Sequence, residues 1–489
     1  MNNPPIDFQD EHLFGEADAR YENRDLLLSY IYKREATNLL MNTKKPFVVL
    51  KAPKGSGKTA LLILADDLLK KSGDNLSILK FDSEIAPSTS EPDLSQWVRQ
   101  WKKNILQAIG RELAKEYFYA GNADSISLVE DAEIDGLKPR NLVGFLMDRI
   151  KVKLANFETK DAKPLDTQEA VKRKLSNEDR HVWVWIDEVD SQFSGSERDI
   201  HKVAGMLLAA RELSGCIPNL LIRTTIKPSV FGMLETRVAA ISNFRDDHVF
   251  DLTWTAHELG MVLAFRIRAH MSRRDVLSEL LADKSFKDDE ALRDWFLLQV
   301  FEPKGFDLGQ GSRPPHEILA LLTSRRPRWL VELCKMTAKM RGKSKERIKF
   351  DDIQNALWKY GQNRIKDFAA EYYHQCTQIA AIISRFEGSS GKFTDFHNLI
   401  DFINKEVLSA LKISIVGLPE TVRAIEIAQL LYQIDFISAK PINDKKHVHY
   451  DERPDLLTVA PPSRGNIYEW VIQPGFRQVL SIPVKKRKA

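Results

Sequence analysis

The chain has 489 residues, 43% of them hydrophobic, and 72 basic side chains against 68 acidic ones leave a formal net charge of only +4. That length suits two to four domains with substantial cores, and the charge balance singles out neither nucleic acid nor a membrane surface as a global partner. Three widely spaced cysteines (Cys216, Cys334, Cys376) fit no disulfide framework or zinc site, no apolar run is long enough to span a membrane, and residues 1–12 lack signal-peptide regions, so the expected location is cytoplasmic.

Residues 1–45 read as a helical entry arm, with Leu26 to Leu28, Tyr30-Ile31 and Leu39-Leu40 at helical spacing. An apolar run from Pro46 to Leu50 then leads into Ala52-Pro53-Lys54-Gly55-Ser56-Gly57-Lys58-Thr59 and, from Ala60, into an apolar helix. A strand, a Gly-rich loop and a helix in that order are the context of a Walker A phosphate loop, here with Ala52 at the first Gly position. Gly55 and Gly57 let the backbone turn its N–H groups around phosphate oxygens, Lys58 adds a point charge, and the Thr59 hydroxyl is placed to ligate Mg²⁺. The expected ligands are ATP and Mg²⁺.

A second strand is expected at Ser77–Phe81. The connection to the third is longer than one crossover needs, with helices near 95–119 and 139–155 and a charged connector from Glu158 to Arg180. His181-Val182-Trp183-Val184-Trp185-Ile186-Asp187-Glu188 is an apolar strand ending in two carboxylates, a Walker B pattern. Asp187 would hold Mg²⁺ through water, and Glu188 would polarise the attacking water. Strands at 219–223 and 248–252 complete a five-stranded parallel sheet with helices on both faces. The fold class is therefore α/β, a three-layer P-loop NTPase of the additional-strand type, with its core over 46–254.

Strand four ends, on this reading, at Ile222-Arg223-Thr224-Thr225, where Arg223 could report the γ-phosphate and either threonine could position water. From 255 to 373 the pattern is helical and reads as a lid. Within it Ser324-Arg325-Arg326-Pro327-Arg328-Trp329 gathers three arginines where a helix begins, against the macrodipole, and that cost favours a phosphate-sensing role. Arg328 is the first choice there and Arg326 the second. Arg237 and Arg245 are candidate fingers acting on a neighbouring subunit.

Residues 374–489 read as a winged helix, with helices near 374–386, 395–412 and 422–434 and strands at His447–Tyr450 and Ile467–Ile472. The 422–434 helix carries little positive charge, which favours a protein-contact or packing role over DNA contact. Basic residues at Lys335–Lys349 fit a nucleic-acid path and a solvated helix end equally well. The tail Lys485-Lys486-Arg487-Lys488 reads as a solvated basic end, and His447 and His449 have no third metal ligand at convincing spacing.

Several segments together resemble a bacterial P-loop ATPase family similar to the STAND (signal-transduction ATPase with numerous domains) class of AAA+ relatives and to origin-recognition initiators. They are Phe14-Gly15-Glu16-Ala17-Asp18-Ala19-Arg20-Tyr21-Glu22, the Walker pair, Ile222-Arg223-Thr224, Leu252-Thr253-Trp254, Arg326-Pro327-Arg328, and Trp470 to Arg477. The resemblance implies an ATP-driven conformational switch of core, lid and winged helix. It also implies a setting in mobile or anti-phage defence loci, with a homo-oligomer or a partner effector protein as the acting assembly. The alternative is a DNA-binding initiator or regulator in which nucleotide fixes a DNA-competent shape.

Overall fold

A computed structural model of the chain describes residues 6–73, 75–87, 93–116, 171–172, 175–176, 180–244, 248–307, 311–342, 346–373, 375–416, 418–442, 447–457 and 468–483. The expected helix at 139–155, most of the 158–180 connector, Arg245, Lys343, Lys345, the loop before Tyr468 and the basic tail lie outside the described residues. The chain divides into two compact bodies. The larger comprises residues 1–34, 52–60 and 251–489, and the smaller 35–51 and 61–250.

The smaller body is built on a parallel sheet. Its strands are β1 (Phe47–Lys51), β2 (Leu76–Phe81), β3 (Val182–Asp187), β4 (Leu220–Ile226) and β5 (Val249–Asp251), in the order β2-β3-β4-β1-β5. The additional strand β4 lies between β1 and β3, pairing Phe47 with Ile222 on one side and Val182 with Leu220 on the other. Every residue of β3 and β4 is buried, which explains their continuous apolar runs: a central parallel strand is covered on both faces. The covering helices include α3 (Lys58–Ser72), α4 (Leu94–Glu116), α5 (Glu197–Cys216) and α6 (Pro228–Arg237). Apolar side chains of α4 and α5, among them Trp97, Trp101, Ile105, Met206 and Leu207, join those of β3 and β4 in one core. On α3, Asp66 is buried because Ser77 Oγ (2.8 Å) and Lys70 (3.0 Å) satisfy it, and Trp185 Nε1 donates to the same Ser77 oxygen at 2.8 Å.

Two short helices precede the sheet: α1 (Arg24–Tyr30), in the larger body, and α2 (Glu35–Leu40), in the smaller. The larger body continues through α7 (Ala256–Arg273), α8 (Asp289–Val300), α9 (Pro315–Leu322), α10 (Pro327–Arg341) and α11 (Phe350–Glu371). The hairpin of β6 (Phe306–Asp307) and β7 (Ser312–Arg313) joins α8 to α9. After α12 (Ile379–Ser384) come β8 (Lys392–Phe393), α13 (Phe396–Phe402), a π-helical run over Ile403–Leu408, α14 (Ala424–Gln433), β9 (Ile437–Pro441) and β10 (Tyr468–Ile472). The last three strands form a sheet in the order β8-β10-β9. The expected strand at His447–Tyr450 is reduced to one bridge between Val448 and Ala439, on the edge of β9 that β10 leaves open.

Candidate functional site

Residues 52–59 carry β1 into α3. Gly55 (φ 83°) and Gly57 (φ 80°) hold left-handed backbone, which a side chain would resist. The carbonyls of five successive residues are engaged by donors. Lys58 Nζ donates to Ala52 O (2.7 Å) and Pro53 O (3.1 Å), and Arg326 to Lys54 O (3.4 Å). The main-chain N–H of Arg328 donates to Gly55 O (3.1 Å), and Trp254 Nε1 to Ser56 O (2.8 Å). With its acceptors occupied by protein, the loop offers an approaching anion its donor side, and no acidic residue in the first turn of α3 opposes one.

The loop is held by residues far away in sequence. Arg34 lies 4.2 Å over the Trp254 ring, donates to Thr253 O at 2.6 Å and pairs with Glu258 at 3.0 Å. Glu258 also closes a capping box with Thr255 at the start of α7, so one carboxylate fixes both the helix end and the arginine that covers Trp254. Ser56 and Trp254 line a small cavity of about 20 Å³ together with Arg326, Asp435 and His449.

Arg326 and Arg328 are placed differently from each other. Arg326 is buried against the Trp329 ring (4.2 Å) and forms a short ion pair with Asp435, which His449 approaches at 3.4 Å. Burial works to raise the Asp435 pKa, but Arg326 and His449 outweigh it and hold the carboxyl below its usual value. Arg328 is half-buried at the start of α10, and its guanidinium reaches Asp18 (3.2 Å) and Glu332 (3.2 Å). Asp18 belongs to the opening segment. There Phe14 is buried, Gly15 takes φ 61°, and Glu22 accepts from the Tyr30 hydroxyl and the Glu16 N–H at 2.5 Å each. The opening motif thus builds a platform beside Arg328, a role its spacing alone did not announce.

In the smaller body Asp187 closes β3 at the carboxyl edge of the sheet, the edge at which β1 runs into residue 52. It is buried, and its Oδ1 accepts a short hydrogen bond from the Thr225 hydroxyl and one from the Glu188 N–H at 3.0 Å. Glu188 has φ 64°, left-handed backbone for a residue with a Cβ. Behind it Asp190 accepts from the Lys227 N–H at 2.5 Å. Of the two threonines expected to position water, Thr225 is therefore turned onto Asp187.

Arg223 departs from the sequence expectation. β4 continues to Ile226, so Arg223 lies mid-strand, and its fully buried guanidinium donates to Leu40 O (2.7 Å), Asn42 O (2.8 Å), Pro46 O (3.1 Å) and Ile222 O (3.1 Å). It also covers the Trp183 ring at 4.9 Å. Three of these acceptors precede β1, at the amino edge of the sheet, and the fourth is the neighbouring carbonyl of β4 itself. Burial pushes its pKa down to about 9, and the carbonyl ring is what makes the buried cation tolerable.

Other sequence candidates are also accounted for. Arg237 is exposed at the end of α6. Lys335 pairs with Glu16 (2.9 Å), Arg341 with Asp352 (3.2 Å) and Lys349 with Glu346 (3.2 Å), which neutralises part of the 335–349 stretch. Six of the ten residues of α14 are buried, leaving little of its face for a nucleic acid. His447 bonds Ser438 at 2.8 Å. Among the described residues no group of three or more His, Cys, Asp or Glu could hold a metal ion, and no helix is long and apolar enough to cross a membrane.

No family model matches the chain, and no curated protein does. Among solved structures it is similar to the ORC2 protein of Aeropyrum pernix in ADPNP-ADP complexes, at 13% identity over 96% of each chain with a TM-score of 0.39. It is also similar to CDC6P of Pyrobaculum aerophilum, at 12% identity over 91% of this chain and 94% of that one (TM-score 0.31). Drosophila ORC bound to DNA aligns at 12% identity over 91% and 92%, again with a TM-score of 0.31.

Proposed function

We propose that the chain is a Mg²⁺-dependent ATPase whose helical lid and C-terminal region respond to the nucleotide it holds. The observation that carries this reading is the phosphate loop, whose carbonyls at 52–56 are all engaged while Gly55 and Gly57 turn the backbone for an anion. The loop N–H groups from Lys54 to Ala60 and the Lys58 ammonium would bind the phosphates. Thr59 and Asp187 would hold Mg²⁺, an oxygen donor set suited to that hard cation. The ion would neutralise charge building on the phosphate oxygens. Glu188 would orient and polarise water from its position in the left-handed turn after β3. Arg328 is the lid arginine that would exchange its partly buried carboxylate partners, Asp18 and Glu332, for a γ-phosphate, whereas Arg326 is committed to Asp435 and Arg223 to the scaffold.

The resemblance in the opening segment and Walker pair supports a switch working with a partner effector or in a homo-oligomer, in anti-phage defence. The ion pairs of Lys335, Arg341 and Lys349 and the six buried residues of α14 count against DNA as the main ligand. The deciding experiment is ATP hydrolysis by the full chain, with and without duplex DNA. Lys58→Ala should lose nucleotide binding, and Glu188→Gln should retain ATP while turning over at least 100-fold more slowly. Unchanged turnover in Glu188→Gln would remove Glu188 from catalysis, and turnover only with DNA would move the reading to a DNA-dependent regulator.

A further inference from the structure

The larger body contains a second cavity that the nucleotide reading does not use. It has a volume of about 470 Å³, in the range of small-molecule sites. Its walls come from the first turns of α7 and α8, from Arg313 to Leu321 along α9, from Arg325, and from His447 and His449. Three guanidinium groups line it, Arg293, Arg313 and Arg325, against two carboxylates, Glu290 and Glu317.

The wall is built rather than incidental. Arg293 is buried, donates to His257 Nδ1 at 2.6 Å, and engages Asp294 through Nε and Nη2 at 2.8 Å each. His316 is only 6% exposed, and its Nδ1 has no hydrogen-bond partner. Burial, then Arg293, pushes its pKa down to about 4, so at neutral pH the ring is uncharged and keeps one donor and one acceptor. Gly260 of α7 makes this approach feasible, because a Cβ there would come within 2.6 Å of Arg293 Cδ and 3.1 Å of His316 Cβ. Ser324 (φ 47°) and Arg325 (φ 53°) both hold left-handed backbone, which fixes Arg325 between this cavity and the small one beside the phosphate loop.

We propose that this cavity is an effector site for a mononucleotide-sized phosphorylated small molecule. Arg313, together with the donors of Arg325 not spent on Glu452 and His447 O, would take the phosphate, which suits planar donor pairs, while Arg293 stays in the wall on Asp294 and His257. Imidazole rings, Pro314, Ala320 and Leu321 would enclose a flat or apolar remainder. Arg325 already spends one donor on Glu452 (3.0 Å) and another on His447 O (3.3 Å), and it belongs to the turn that carries Arg326 to Lys54 O. Occupancy would therefore reach the phosphate loop through the 323–326 turn.

The test is calorimetric titration of the full chain in saturating Mg·ADP with inorganic phosphate, AMP and citrate, the last as a carboxylate control. Lys58→Ala protein, with its phosphate loop disabled, is titrated in parallel, which separates this site from the proposed ATP site. The expected result is saturable AMP binding that persists in Lys58→Ala. Arg313→Ala and His316→Leu, each checked for native melting, should weaken it at least tenfold. Binding of AMP should also change ATP turnover of the wild-type chain at least twofold. No saturable binding of any probe, or binding that survives both cavity variants, overturns the proposal. Tighter binding of citrate than of AMP would overturn the phosphate assignment, and binding without a change in turnover would overturn the effector role.

Discussion

Two residues carry opposite lessons about reading chemistry from type and position. Arg223 has the residue type of a phosphate sensor, but its four carbonyl partners make it a clamp between β4 and the segment before β1. Replacing it with Met leaves those buried acceptors short of donors, at about 1–3 kcal/mol for each one left unsatisfied. Arg223→Met should therefore lower the urea midpoint by an amount equivalent to about 3 kcal/mol or more, while folded protein binds ATP with near-native affinity. A large loss of affinity at unchanged stability would return Arg223 to the sensor role. Glu188 is the converse case, a residue whose position costs stability. A side chain with a Cβ in the left-handed region costs about 1–2 kcal/mol, offset in part by the entropy glycine loses on folding. Glu188→Gly should raise stability by about 0.5–1 kcal/mol and abolish turnover, read by denaturation and phosphate release on the same samples. A destabilised Glu188→Gly protein would mean that the carboxylate is held by contacts worth more than the strain.

At the scale of elements, legibility followed burial. The runs at 47–50 and 182–186 are apolar because both faces of a central strand are covered, so these strands could be read directly from residue type. β4 could not be closed correctly, because Arg223, Thr224 and Thr225 look like an exposed end although all seven residues of the strand are buried. Those polar residues are inside because two of them serve specific partners, Thr225 on Asp187 and Arg223 on the main chain. The short β8 and β9 were illegible for a different reason. Two residues carry no period, and β9 ends on a proline that pairs only at its margin. The turn at 52–59 was legible because its two left-handed positions carry glycines, whereas the Arg326–Asp435 pair joins positions 109 apart and left no local trace. The helix α9 brings a testable acid sensitivity. His316, packed beside Arg293, Asp294 and His257, has a folded pKa of about 4 against 6.5 for the free side chain. The unfolded chain therefore binds the extra proton first, and stability falls as pH drops from about 6.5 toward 4. His447, lowered to about 3 by burial and then by neighbouring cations, adds a slope of the same sign. Urea midpoints at pH 7 and pH 5 should differ markedly in wild type and less in His316→Leu; equal slopes in both proteins would exclude His316 as a source.

For the whole molecule, the notable feature is how the phosphate loop is shared. Covalently, residues 52–60 join β1 to α3 of the smaller body, yet their contacts group them with the larger one. The loop is therefore held by residues of the larger body, among them Trp254, Arg326 and the main chain of Arg328. Trp254 is the cleanest probe, because its Nε1–H donates to Ser56 O while its ring packs beneath Arg34. Trp254→Phe retains a ring for Arg34 and removes the donor, leaving a buried carbonyl unpaired at about 1–3 kcal/mol. Part of that cost falls on the loop conformation that accepts phosphate, so ATP affinity should weaken about tenfold. Asp187 and Glu188 keep their own partners, Thr225 and the strand end, so turnover at saturating ATP should stay within about twofold of wild type. The ligand also stabilises the state it binds, by about 2.7 kcal/mol at one hundred times its dissociation constant. Raising Mg·ADP in proportion to the weakened affinity should therefore restore the full thermal shift in Trp254→Phe, whereas Lys58→Ala should show no shift at any concentration. If kcat fell with KM unchanged, the pin on Ser56 would be acting on the chemical step, and the division of labour between loop and carboxylates would be wrong.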